Sequence, residues 1–284
     1  MRLTGGDDIT PEVKDFMSRY AVRGYPTLYV MNAAGHVVVS KVNRTVDTML
    51  SALADGEKAE KDFADAAKKT DPEGRKAYRE ALKGRMAWED LAALQAEDLK
   101  TAPTPEAYAE LAGTYAAAGR AADERATLEK AVGLFKDAKD RNAWRIRLAT
   151  MDTDPGKATS RDENASLSAG ATKALETLLA KFGEEKNVAG SALVHVSLGT
   201  LLQRQNKPDD AEKHFDAALA ADAKGTSAPT ALMGKANCAF ARKDWAGCKT
   251  QLDKILAEFP DSAEAKVAPR GIENCNKRME AENR

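Results

Sequence analysis

The sequence predicts a mostly α-helical protein: a long array of packed helices preceded by a short helix, β-hairpin and helix. Three observations predict it. Alanine makes up about a fifth of the 284 residues, well above ordinary usage, and alanine is the strongest helix former and packs without bulk. From about residue 56 to the end, apolar residues recur at helical spacing with almost no strand signal. Before that, residues from about 10 to 50 mix helix and strand patterns around a Val-rich hairpin signal.

The elements follow in order. Thr10 is a good N-cap with Pro11 at the first helical position, and Val13, Phe16, Met17 and Tyr20 follow at helical spacing. Val22-Arg23-Gly24 breaks that helix. Pro26-Thr27-Leu28-Tyr29-Val30-Met31 reads as a strand opened by proline. Asn32-Ala33-Ala34-Gly35 is a hairpin turn, and His36 to Val42 is the second strand. Thr45 or Asp47 caps a helix carrying Val46, Met49, Leu50 and Leu53.

The order helix, proline, strand, turn, strand, helix resembles the C-terminal half of the thioredoxin fold. The run Val22-Arg23-Gly24-Tyr25-Pro26-Thr27 carries the resemblance, followed by Asn32-Ala33-Ala34-Gly35 and the Val-rich strand. It implies that Tyr25, Pro26 and Thr27 form the family's cis-proline loop. A complete thioredoxin fold places a strand, a helix and another strand before this point, with a redox Cys-x-x-Cys opening the helix. Only nine residues precede Thr10, and no cysteine lies before Cys238. Residues 1–55 are therefore expected to be an incomplete α/β thioredoxin-like segment lacking its Cys-x-x-Cys half. The chain is expected to be a C-terminal piece, or a late start, of a longer protein. The unpaired strand edge offers a route to a homodimer by strand addition.

Helical periodicity then covers about 56–69, 72–83, 85–100, 104–118, 121–137, 140–150, 169–183, 188–205, 208–222, 227–242, 245–258 and 262–281. Breakers separate the helices: Asp71-Pro72, Pro103-Thr104-Pro105, Gly119, Gly183, Lys207-Pro208 and Pro260-Asp261. The polar stretch 152–167 is the candidate hinge of this helical domain, residues 56–284. Leu198-Gly199-x-x-Leu202 followed by Ala211, Phe215, Ala218 and Leu219 forms one unit. Leu232, Ala236 and Ala239 followed by Cys248, Leu252, Ile255, Leu256 and Pro260 forms another, shifted by 37 residues. Tyr108-x-x-Leu111-Ala112-x-x-Tyr115 with Leu128 and Ala131 is a third. These positions resemble the tetratricopeptide pattern, whose period is about 34 residues. The fold class expected is thus a tetratricopeptide-like α-solenoid behind the thioredoxin-like segment. Gly199 and Ala211 should let paired helices approach closely, with Phe215 and Leu252 filling the gap to the next pair.

Composition narrows the function. The 43 Lys+Arg and 44 Asp+Glu leave a net charge of −1, which argues against nucleic-acid binding. No run of eighteen apolar residues occurs, so no membrane span is expected. Met1 to Asp8 has no secretory signal, which places the chain as written in the cytoplasm. For a longer parent, the resemblance to proteins that join a thioredoxin-like module to helical repeats implies a periplasmic or secreted location. Cys238, Cys248 and Cys275 are spaced ten and twenty-seven residues apart, matching neither redox Cys-x-x-Cys nor zinc spacing. They read as small buried residues, with a disulfide tying the last helices as the alternative. His36, His195 and His214 have no metal-ligand spacing, and His195 and His214 fall on the two helices of one repeat. No nucleophile elbow or phosphate loop is present. No catalytic residue, metal site or cofactor is expected.

Repeat arrays bind along the face lined by the first helix of each pair. Here that face should carry Leu193, Val196, Thr200 and Gln203, then Met233, Asn237 and Phe240, a mixture suited to an extended peptide or partner helix. The expected function is a protein-interaction scaffold with no redox chemistry in this chain. The alternative is the C-terminal portion of a thiol–disulfide oxidoreductase whose catalytic half is absent. The chain is predicted to show no insulin-type disulfide reduction in a turbidity assay. Turnover surviving replacement of all three cysteines by serine would contradict that prediction.

Overall fold

A computed structural model describes residues 17, 19–20, 22, 27–40, 42, 45–158 and 160–282. Among them are two strands and twelve α-helices. The strands, β1 (Val30–Met31) and β2 (Val37–Val39), pair antiparallel. Asn32 Oδ1 accepts from the backbone N–H groups of Ala34 and His36, and Gly35 closes the turn at φ +80°. The ladder is shorter than the sequence pattern implies. Thr27 to Tyr29 fall outside β1, and a register shift between Val30 and Met31 interrupts the pairing.

Helix α1 (Val46–Ala67) is capped by Thr45, whose side chain accepts from Thr48 N–H. It runs straight through Asp55-Gly56, where the periodicity lapses, because a single glycine costs a helix only about 1 kcal/mol. Gly56 is buried and faces the side chains of Val30, Val38 and Val39. Beyond it lie α2 (Pro72–Gly84) and α3 (Trp88–Thr101). Arg85, buried to 7% exposure, joins the three parts. Its guanidinium donates to Glu60 Oε1 and Ala59 O at 2.5 Å each and lies 4.0 Å over the Phe63 ring. Its carbonyl accepts from Val37 N–H at 2.8 Å. Residues 55 and 56, where the sequence divides the two segments, both lie inside α1, and the hairpin packs on that helix.

Next come α4 (Pro105–Ala117), α5 (Ala121–Leu134), α6 (Arg141–Thr150), α7 (Arg161–Glu184), α8 (Val188–Arg204), α9 (Pro208–Ala221), α10 (Ala228–Ala241), α11 (Trp245–Glu258) and α12 (Ala263–Glu282). The fold groups into two compact units, Met1–Ala138 and Lys139–Arg284. The 152–167 stretch holds two short 3-10 turns and the start of α7. That helix begins before 169 because Ser160 accepts from Glu163 N–H, with Asp162 and Glu163 in the first turn.

A recurring turn sets the helix pairs. Met86, Gly119, Lys186, Asn206 and Lys243 each adopt positive φ between consecutive helices. At each, the following N–H reaches back to a carbonyl in the last helical turn, as in Asn187 N to Phe182 O at 2.8 Å and Asp244 N to Ala239 O at 2.9 Å. Gly183, expected to break its helix, stays within α7, and Lys186 takes the left-handed position instead.

Between pairs, a side chain seats on a glycine. Phe215 on α9 is 1% exposed, and its ring lies against Gly199 on α8 and Gly234 on α10. A Cβ at Gly234 would collide with that ring. Leu252 on α11 meets Gly271 on α12 in the same way, with a Cβ there 2.8 Å from Cδ1. Both partners are displaced by the same 37 residues. Truncating the ring leaves a cavity no neighbour can fill. Phe215→Ala is expected to lower stability by about 3–5 kcal/mol, read from urea unfolding by far-UV circular dichroism.

Candidate functional site

In the first unit, α2, α3 and α4 frame a groove of about 550 Å³. Asp71 caps α2 by accepting from Gly74 N–H, and Thr104 caps α4 by accepting from Ala107 N–H. Trp88 opens α3, and its indole N–H donates to Arg19 O at 3.1 Å. The floor is Leu91 and Gln95. Lys76 and Lys83 stand seven residues apart on α2, both exposed and without an ion pair among the described residues. Arg79 between them donates to Asp98 at 3.1 Å, and Arg75 reaches the same carboxylate. Glu80 and Glu110 complete the rim.

Gln95 is the unusual member. It is 8% exposed, and its Oε1 is buried with no hydrogen-bond partner among the described residues. An unpaired buried acceptor costs about 1–3 kcal/mol. No sequence pattern marks it, because Gln95 occupies an ordinary helical position. Its place beside α2 and α4 arises only when the three helices come together.

In the second unit, the seven residues of the expected binding face fall into separate places. Val196 is buried and packs with Phe215, Ala211 and Cys238. Thr200 donates to Val196 O at 2.8 Å, and both line a groove of about 290 Å³ that also holds Arg147 and Arg204. Leu193 is half-buried on the same helix. Gln203 is engaged inside the fold. Its Nε2 donates to Gly234 O at 2.6 Å and to Cys238 Sγ at 3.2 Å, tying α8 to α10. Met233, Asn237 and Phe240 share a groove of about 220 Å³ with Cys248, Leu252 and Gly271. In the N-terminal loop, Thr27 is exposed, while Tyr25 and Pro26 lie outside the described residues.

The histidines meet as the repeat pattern allowed. His195 Nδ1 on α8 and His214 Nδ1 on α9 lie 3.1 Å apart, so one ring donates and the other accepts. Burial lowers the pKa of both, and His214 further lowers His195. Glu176 on α7 and Asp210 on α9 oppose the shift at His214. Among the described residues, no group of three or more His, Cys, Asp or Glu side chains could hold a metal ion. Among them, too, no helix is long and apolar enough to cross a membrane.

The histidine pair has a measurable consequence. Because both rings titrate lower when folded, the unfolded chain takes up protons first on acidification. Their contribution is full above the ordinary value of 6.5 and is lost as pH falls through the depressed folded values. Urea midpoints measured from about pH 7 to 5 should fall more steeply for the native chain than for the double variant His195→Gln, His214→Gln.

Residues 202–268 match the family model described as tetratricopeptide repeat. Among solved structures, a thermophilic TPR protein from Thermus thermophilus is 18% identical, with 70% of this chain and 98% of that chain covered and a TM-score of 0.45. BtubC (BKLC) from P. vanneervenii is 16% identical, with 72% of this chain and 80% of that chain covered and a TM-score of 0.38. No curated protein matches the chain. The paired helices α8 to α12 thus include a stretch similar to tetratricopeptide repeats, within a helical array of that kind.

Proposed function

We propose that the protein is an interaction scaffold that catalyses no redox reaction, which holds an extended peptide segment of a partner protein in the groove framed by α2, α3 and α4. The observation that carries this reading is the buried, unpartnered Gln95 oxygen on the groove floor. A peptide N–H is the donor it lacks. Trp88 and Leu91 offer an apolar surface beside it, and Lys76 and Lys83 await acidic side chains of the partner. Tetratricopeptide repeats generally mediate protein–protein contact, and the match over 202–268 supports the same role for the second unit. There, Met233, Asn237 and Phe240 would supply the contact surface. The thioredoxin-like hairpin is read as a structural part of the first unit, held by Arg85.

One substitution separates a binding role from a packing flaw. Gln95→Met keeps the volume and removes the unpaired oxygen. The free protein should gain about 1–2 kcal/mol of stability in urea unfolding. Peptides selected from a displayed library against the native chain should bind the variant about tenfold more weakly, a change of about 1.4 kcal/mol. A stabilised variant with undiminished peptide affinity overturns the reading, as does a library that yields no binder.

A further inference from the structure

The sequence left the three thiols open between simple burial and a bridge. The structure separates them. Cys238 Sγ is engaged by Gln203 Nε2 at 3.2 Å. Cys248 on α11 and Cys275 on α12 face each other, with sulfur atoms 3.0 Å apart. That is only about 1 Å longer than a disulfide bond. Both sit in the apolar core of the last three helices, Cys248 at 3% and Cys275 at 0% exposure. Two further contacts hold α12 in place: Leu252 seats on Gly271, and Trp245 Nε1 donates to Glu282 Oε1 at 2.7 Å.

We propose that Cys248 and Cys275 are a disulfide-forming pair that staples α12 onto α11, oxidised by exchange with a disulfide-bearing thiol oxidant. The groove of about 220 Å³ beside α10 reaches Cys248 and is the route of approach. Cys248 attacks one sulfur of the oxidant as a thiolate, forming a mixed disulfide and releasing one small thiol. Cys275 then attacks the Cys248 sulfur and releases the second. Two protein thiols lose their protons and are oxidised to one disulfide, and one small disulfide is reduced to two thiols. Burial, and then the neighbouring Cys275 thiol, push the Cys248 thiol up to about 12. Thiolate is therefore scarce at neutral pH, and exchange in the folded chain is slow and accelerates with rising pH. The bridge closes a 27-residue loop, long enough to restrict the unfolded chain substantially. It also fixes Val267 and Gly271 on α12, which form one wall of the groove.

The full chain is unfolded in urea and refolded in oxidised glutathione, so that every thiol is reachable. It is then denatured in urea containing excess iodoacetamide, so that every remaining free thiol is alkylated, and mapped by mass spectrometry. The expected product has Cys248 joined to Cys275 and Cys238 alkylated. Its thermal midpoint should lie about 5–10 °C above that of the reduced chain. Cys238→Ser should keep both changes, and Cys275→Ala should lose both. A bridge through Cys238, a persistent mixed disulfide at Cys248, or three alkylated cysteines in the refolded chain would overturn the proposal. So would a bridged product with an unchanged midpoint.

Discussion

The second unit depends on a ring seated on backbone. Phe215 has no side chain opposing it at Gly199 or Gly234, so α8, α9 and α10 meet around one aromatic ring. The glycines forgo packing of their own to admit it. A fully buried aromatic side chain contributes more than any other single residue to such a core. Leu252 on Gly271 repeats the arrangement at the next junction with a smaller plug. The abundance of alanine belongs to the same economy of space: Ala211, Ala218, Ala231 and Ala236 are all buried near these junctions. Close backbones leave shallow grooves between successive helices, and those grooves are where Met233, Asn237 and Phe240 gather.

The first unit is organised by polar groups instead. Arg85 and Gln95 are both buried, and they differ in how fully they are satisfied. Arg85 finds a carboxylate, a carbonyl and an aromatic face, so its burial binds hairpin and helices together. Gln95 lines the groove and leaves its buried oxygen unpaired among the described residues. A satisfied buried charge stabilises structure, whereas an unsatisfied acceptor is a cost that a ligand can remove.

Period and residue size were legible from the sequence. The 37-residue shift follows from spacing, the small residues at Gly199 and Ala211 and the plugs at Phe215 and Leu252 from the resemblance to the tetratricopeptide pattern, and the structure seats Phe215 on Gly199 and packs it with Ala211. The turn at Asn32–Gly35 was equally readable, because the asparagine carboxamide and a positive φ are local chemistry. The left-handed turns were not. Lys186 and Lys243 adopt a conformation usually left to glycine because the helices on either side demand it, while Gly183 simply continues its helix three residues before Lys186. Tertiary packing overrode local preference at those sites. The groove of the first unit was hidden for a related reason. A partnerless oxygen is a relation among three helices, and one helix's periodicity does not contain it. Gln203 shows the converse: it sits on the helix face expected to bind, and a backbone carbonyl one helix pair away takes its amide.

A ring against a glycine sets a minimum distance but supplies no directional bond. Charged pairs line the edge between α9 and α10. Lys235 meets Asp216 at 2.5 Å, and Arg242 bridges Asp209 and Glu212 at 2.9 and 2.5 Å. These groups are partly in water, where dissolved salt weakens them. Dissolved salt therefore acts on the rim of this junction and leaves the buried ring contact untouched.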